Sequence, residues 1–234
     1  MRLNKYIARS GYCSRRKADE LIFDGLVTVD GQVCSNPATQ VEPSVNEVRV
    51  SNKIINLIHN NDYLMLNKPI GYMSSLNDPH YDKFVIDLLP EKYNTVYPIG
   101  RLDVDSHGLL LLTNDGDLTY KLTHPKNNIV KEYIVSIDKK LNSEDLKKLE
   151  SGVMIDNKYI CKAKIKVHPS KNGFRYRVYI SEGRNRQIRK MFAALGYEVI
   201  DLMRVAIEEL SIGDLKTGEF RLLTESEIKY LEDL

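Results

Sequence analysis

Gly100-Arg101-Leu102-Asp103-Val104-Asp105-Ser106-His107-Gly108, followed by Leu109-Leu110-Leu111-Leu112-Thr113-Asn114-Asp115-Gly116, is the stretch that decides how this chain folds. The run Leu109 to Thr113 is short, wholly apolar up to its last residue, and closed by Asn-Asp-Gly. That pattern predicts a strand buried on both faces and ended by a turn. Val96-Tyr97-Pro98-Ile99 predicts another strand just upstream. The polar segment between them is then a loop held between core elements. A carboxylate in such a loop can serve as nucleophile or base if a cation keeps it ionised. The competing reading is an ordinary surface turn, because Asp, Ser and Gly are turn formers. A hydrolytic pair of Asp103 and Asp105 fits poorly, since such pairs usually come from separate elements about 5–10 Å apart.

The chain on both sides of this loop is strand-rich. Tyr63-Leu64-Met65-Leu66-Asn67-Lys68 predicts a strand stopped by Pro69 and Gly71. Lys131 to Ile137 alternates, with Lys131, Tyr133 and Val135 on one face. Residues 159–167 and 174–181 predict further strands. Short helices are expected over 143–151, capped by Asn142 or Ser143, and over 184–195, ended by Gly196. Thr224-Glu225-Ser226-Glu227 is a capping box opening a last helix. Grouped strands interrupted by short helices define an α+β fold with a mainly antiparallel sheet.

Residues 2–9 and 15–24 predict two short helices, the second capped by Ser14 and followed by Gly25. Asp30-Gly31 between β-branched runs is a hairpin signal. Residues 35–60 read as polar and irregular, with Pro37 and Pro43 as breakers. The expected organisation is a small helix-helix-hairpin unit over 1–57 and a larger domain over 58–234.

The chain has 234 residues, and no apolar run approaches the roughly 20 needed to cross a membrane. The start, MRLNKYIARSGYCSRR, lacks the apolar core of an export signal, so the expected location is the cytoplasm. Cys13, Cys34 and Cys161 are too few and too widely spaced for a disulfide framework. His59, His80, His107, His124 and His168 lack zinc-ligand spacing, and phosphate-binding glycine motifs are absent. Net charge is only +2, but it is unevenly spread. Arg2, Lys5, Arg9, Arg15, Arg16 and Lys17 crowd the N-terminus without an acid; Arg184, Arg186, Arg189 and Lys190 do the same further on. Such clusters suggest a polyanion track, although a charge run is often only a solvated face.

The ordered set LNKPIGY, GRLDVDSHGLLLLTNDG, KEY and EGRNRQIRKMF closely resembles the RsuA/RluB/RluE/RluF family of bacterial ribosomal RNA pseudouridine synthases. RLNKYIARSGYCSRRKADELIFDGLVTVDGQVC resembles the S4 RNA-binding domain that many of that family carry. The resemblance implies a pseudouridine synthase that needs no organic cofactor and no metal, and that acts on rRNA or a ribosome-assembly intermediate as a monomer. It implies Asp103 as the catalytic aspartate, without deciding between attack on C1′, addition to the ring and removal of a sugar proton. It further implies Tyr133 stacking on the uracil, Arg189 pairing with Asp103, and Arg101 filling the gap left by the extracted base. Ser106 stands where Thr is frequent in the family; His107 reads as a variable loop residue. Arg2, Lys5, Arg9, Arg15, Arg16, Lys17, Arg184, Arg186 and Lys190 are the expected RNA contacts. The motifs lean toward a large-subunit rRNA target; a small-subunit target, or a non-catalytic assembly factor on the same fold, are the alternatives.

Overall fold

A computed structural model describes residues 1–58, 60–76, 78–170 and 173–234; His59 lies outside the described residues. The chain forms two compact units, Met1–Asp62 with Asn114–Gly116, and Tyr63–Thr113 with Asp117–Leu234.

The first unit has helices α1 (Leu3–Arg9) and α2 (Arg15–Phe23) and strands β1 (Val27–Val29), β2 (Gln32–Val33), β3 (Val48–Val50) and β4 (Lys53–Ile54). The Ser14 hydroxyl accepts from the Lys17 N–H and so caps α2 as expected. Gly25 takes the positive φ of +72° that ends that helix cheaply. Asp30 and Gly31 both have φ > 0, the geometry of the tight turn joining β1 to β2. Leu3, Ile7, Ala18, Ile22, Val27, Val48 and Val50 form the core. The expectation of irregular chain over 35–60 is corrected here, because β3 and β4 form a second hairpin in the order β2-β1-β3-β4. Its turn is Ser51-Asn52, both left-handed without glycine, which is why the turn signal is weak in the sequence.

The second unit contains β5 (Tyr63–Lys68), β6 (Tyr97–Pro98), β7 (His107–Thr113), α3 (Gly116–Thr123), β8 (Lys131–Ile137), α4 (Ser143–Ser151), β9 (Val153–Ile155), β10 (Tyr159–Cys161), β11 (Lys164–His168), β12 (Phe174–Ile180), α5 (Gln187–Ala193), β13 (Val199–Ile207), β14 (Leu210–Ser211), β15 (Phe220–Leu222) and α6 (Glu225–Asp233). Its main sheet runs β11-β12-β8-β13-β7-β5-β15, with β14 against β13 and β6 against β7. The β13–β7 pair is parallel and the other pairs are antiparallel. The fold is therefore the expected α+β with a mainly antiparallel sheet. Tyr176, Val178, Val135 and Ile165 pack with Leu149 of α4 and with Ile188, Met191 and Phe192 of α5 in one core. Leu109, Leu111 and Met65 pack with Leu118, Leu122 and Leu231 in another. The four consecutive leucines of β7 thus serve two cores, alternating between them.

Several expected boundaries shift. The Asn-Asp-Gly turn runs straight into α3, whose Leu118 and Leu122 are buried four residues apart. The strand over 159–167 is broken at Lys162-Ala163, where the Ala163 N–H turns to the Leu149 carbonyl. The expected helix over 184–195 begins only at Gln187, because Arg186 is left-handed at φ +52°. β13 carries no expectation at all. Its inward positions include a charged residue, Arg204, which hides the alternation.

β13 reaches β7 only because of Gly108. Arg204 and Gly108 lie opposite one another, and a Cβ at Gly108 would sit 2.2 Å from the Arg204 carbonyl oxygen and 2.8 Å from its nitrogen. Gly108 also has φ +102°, which side chains rarely adopt. Gly108→Ala should cost about 3–5 kcal/mol in urea unfolding, whereas Gly183→Ala, which has open space, should stay within about 0.5 kcal/mol. Equal stability of the two variants would show that the β7–β13 contact is slack.

Candidate active site

The loop from Gly100 to Ser106 leaves β6 and enters β7, and almost every carbonyl along its centre is bonded. The Lys68 ammonium at the end of β5 is completely buried. It donates to the carbonyls of Ser106 (2.8 Å), Asp103 (3.1 Å) and Pro69 (3.1 Å). The Ser106 N–H also donates to the Asp103 carbonyl, and the Gly71 N–H to that of Val104. The Ser74 hydroxyl donates to the Leu102 carbonyl (2.9 Å) and faces the Leu102 N–H at 3.2 Å. A loop tied at successive residues presents its side chains from a fixed frame.

Asp103 and Asp105 leave this frame in different surroundings. Asp105 receives a two-pronged pair from Arg186, Nη1–Oδ1 3.0 Å and Nη2–Oδ2 2.8 Å. Arg189 adds Nε–Oδ2 at 3.3 Å and donates from Nη2 to the Asp105 carbonyl (2.9 Å). The Arg186 hydrogen bonds, helped by the charge of Arg189, hold the Asp105 carboxyl below the usual range against the opposing effect of burial. Asp103 has no ion pair within 4.0 Å among the described residues, while the charges of Lys68 and Arg186 lie near enough to act on it.

This corrects one expectation. Arg189 pairs with Asp105, not with Asp103. Its fork is spent on Asp105 and, through Nη1, on the Val199 carbonyl (2.8 Å), so it pins the loop to the start of β13. The helix starts three residues later than expected, at Gln187, which puts Arg186 on the loop before α5 and at the cavity.

Asp103 and Tyr133 line the same cavity of about 660 Å³, together with Arg101, Lys131, Arg184 and Arg186. Tyr133 is 8% exposed, on the middle of β8 between Val178 and Arg204. Arg184 places its Cζ 3.8 Å from the centre of the Tyr159 ring, and its Nε meets Glu182 at 3.1 Å. The Gln187 side chain closes this corner by accepting from the Arg184 N–H and donating to Glu182. Lys190 is elsewhere; it pairs with Asp156 at 2.7 Å and does not line the cavity. In the first unit, Arg2, Arg15 and Arg16 are exposed, and Lys17 is paired with Glu20 at 2.7 Å.

Three cationic residues acquire a role only here. Lys68 looked like the end of a strand. Arg204 is 4% exposed, donates from Nε to the Leu109 carbonyl (2.7 Å), and has Nη2 buried without an acceptor. Lys131 is lowered to about 8 by burial, with Arg204 adding to the effect and Glu208 opposing it. The available signal was a charge at an otherwise apolar strand position, as in Leu202-Met203-Arg204-Val205-Ala206.

Comparison with known proteins supplies the family. Residues 62–194 match the family model described as RNA pseudouridylate synthase, and residues 1–46 match the S4 domain. The ribosomal large subunit pseudouridine synthase B of Bacillus subtilis is 40% identical over all of this chain and 96% of its own length. The dual-specificity RNA pseudouridine synthase RluF of Escherichia coli K12 is 39% identical over 97% of this chain and 77% of its own length. A crystal structure of a pseudouridylate synthase superposes with a TM-score of 0.72 at 30% identity, covering 99% of both chains. The chain belongs to the RNA pseudouridylate synthase family, as a pseudouridine synthase of the RsuA/RluB/RluE/RluF group with an S4 domain.

Burial lowers Lys68 to about 8 from 10.5, with Arg204 contributing and the two aspartates opposing. Between about pH 8 and 10.5 the unfolded chain then holds this proton while the folded one has released it. Stability owed to Lys68 therefore rises with pH in that window. The advantage of the wild type over Lys68→Met in urea unfolding should widen from neutral pH into the window. A constant gap would mean that Lys68 keeps its proton when folded.

Proposed function

We propose that the protein converts a specific uridine of large-subunit ribosomal RNA to pseudouridine, acting as a monomer in the cytoplasm. The observation that carries this reading is the meeting of Asp103, Tyr133 and a ring of arginines in one cavity of a chain of this family. The relative named for the large ribosomal subunit supports the choice of rRNA.

The reaction cleaves N1–C1′, turns the uracil, and forms C5–C1′. The C5 proton ends on the solvent-exchangeable ring nitrogen, so atoms balance without a co-reactant. Asp103 is the catalytic carboxylate. Among the described residues no ion pair holds it, which leaves its oxygens available to the nucleoside, while Asp105 absorbs Arg186 and Arg189. Tyr133, held in the sheet, offers its ring to the extracted uracil. The base must leave its stack, at a cost of a few kcal/mol that RNA contacts elsewhere offset. Arg101, exposed at the mouth, fills the gap left behind. Arg184 and Arg186 meet the phosphates beside the target. Arg2, Lys5, Arg9, Arg15 and Arg16 of the first unit hold RNA through its backbone, which fixes position and carries little sequence information.

Chemical mapping of pseudouridine in both rRNAs, from cells with the wild type or with Asp103→Asn as the sole copy, tests this reading. One large-subunit site should disappear with the variant, a loss of at least about 10³-fold in rate for a group acting on the reacting atoms. Identical maps would leave the protein as a non-catalytic RNA-binding factor. Loss of a small-subunit site instead would move the target.

A further inference from the structure

Strand β11 is the outer edge of the main sheet, and its exposed face is basic. Lys162, Lys164 and Lys166 alternate with buried Ala163 and Ile165. Lys164 lies opposite Tyr179 of β12 and Lys166 opposite Arg177, so the side chains of each pair share one face. The Lys166 ammonium stands 5.7 Å from the centre of the Tyr179 ring. Among the described residues none of the three lysines has an ion-pair partner within 4.0 Å, whereas Arg177 is paired with Glu132.

The three lysines and Tyr179 line a hollow of about 610 Å³, with Glu150 as the acid of its lining. Ser181 lines both this hollow and the cavity of Asp103. Lys131, which donates to the Ser181 carbonyl, lines the cavity just beside it. Ser181, just past the end of β12, thus borders both depressions. Lys164, Lys166 and Tyr179 lie on the face of the sheet opposite Tyr133, so a chain leaving the cavity reaches them by passing the sheet end at Ser181.

Lysines on an edge strand also discourage the addition of another strand. That role accounts for their charge but not for the hollow, the aromatic ring beside Lys166, or the border shared with the cavity at Ser181. Alternate strand positions are about 6.7 Å apart, close to the length of one nucleotide of extended backbone. Lys164 and Lys166 at that repeat, with Lys162 just before the strand and a ring among them, suit a single strand of RNA: cations for successive phosphates and a surface for a base.

We propose that this groove is a second RNA-binding surface, which takes the single-stranded segment flanking the target uridine. Lys162, Lys164 and Lys166 contact its phosphates and Tyr179 stacks on a base. The inference rests on the proposed action on RNA, and it extends that site from one nucleotide to a track.

The test uses the full chain and an in vitro transcript of large-subunit rRNA, with affinity measured across a series of KCl concentrations. Lys162→Ala, Lys164→Ala and Lys166→Ala are combined; all three side chains are exposed, and an unchanged thermal melt confirms folding. The slope of log affinity against log salt should fall by about 2, the value for three lost phosphate contacts. Lysine acetylation read by mass spectrometry should show the three residues protected when the transcript is bound. An unchanged slope with no protection overturns the groove, leaving the lysines as guards of the strand edge. Repeating the series in Asp103→Asn separates the two readings. A slope that falls while no pseudouridine forms with the wild type sinks the reaction and keeps the groove. An unchanged slope with pseudouridine lost in Asp103→Asn does the reverse.

Discussion

The buried ammonium of Lys68 is the constraint on which the site depends. A lysine out of water is costly unless its donors are used, and here three backbone carbonyls use them. Those carbonyls belong to the turn after β5 and to the loop before β7, so one side chain ties two segments 35 or more residues apart. Burial drives Lys68 toward losing its proton, and the nearby charges of Asp103 and Asp105 push the other way. The same residues that the lysine positions thus help to keep it charged.

The two aspartates divide their tasks by surroundings. Asp105 takes both Arg186 and Arg189 and becomes part of the scaffold, joining the loop to α5 and to the start of β13. Asp103, two residues earlier, lines the cavity with no salt bridge among the described residues. In the proposed reaction this division matters, because a carboxylate locked by a guanidinium on each oxygen has little to offer a substrate. The left-handed Arg186 is the local cost: a bulky residue there holds of order 1 kcal/mol of strain, set against the paired hydrogen bonds it makes to Asp105.

Gly108 links this site to the sheet. The parallel contact of β7 with β13 brings Arg204 in beside Tyr133, and only a residue without Cβ permits it. Arg204 then satisfies the Leu109 carbonyl and lowers Lys131 and Lys68 by its charge. The cavity is consequently rich in cations, of which Arg204 and Lys131 are held by backbone carbonyls and Arg184 and Arg186 by Glu182 and Asp105, a suitable lining for a polyanion.

Local chemistry was legible in the sequence wherever a few neighbouring residues suffice. Ser14, Asn142 and Thr224 announced their helices because a cap is one side chain and one N–H three residues on. Asp30-Gly31 announced a turn, and Lys131 to Ile137 a strand, from their own period. The ordered motifs carried the family, and with it the expectation for Asp103 and Tyr133. The structure alone decided which arginine meets which aspartate, that Lys68 is buried beneath the loop, and that Arg204 lies inside the sheet. Those are contacts between residues tens of positions apart, governed by the direction of a guanidinium and by close approach at one glycine. Neither leaves a pattern in the order of amino acids.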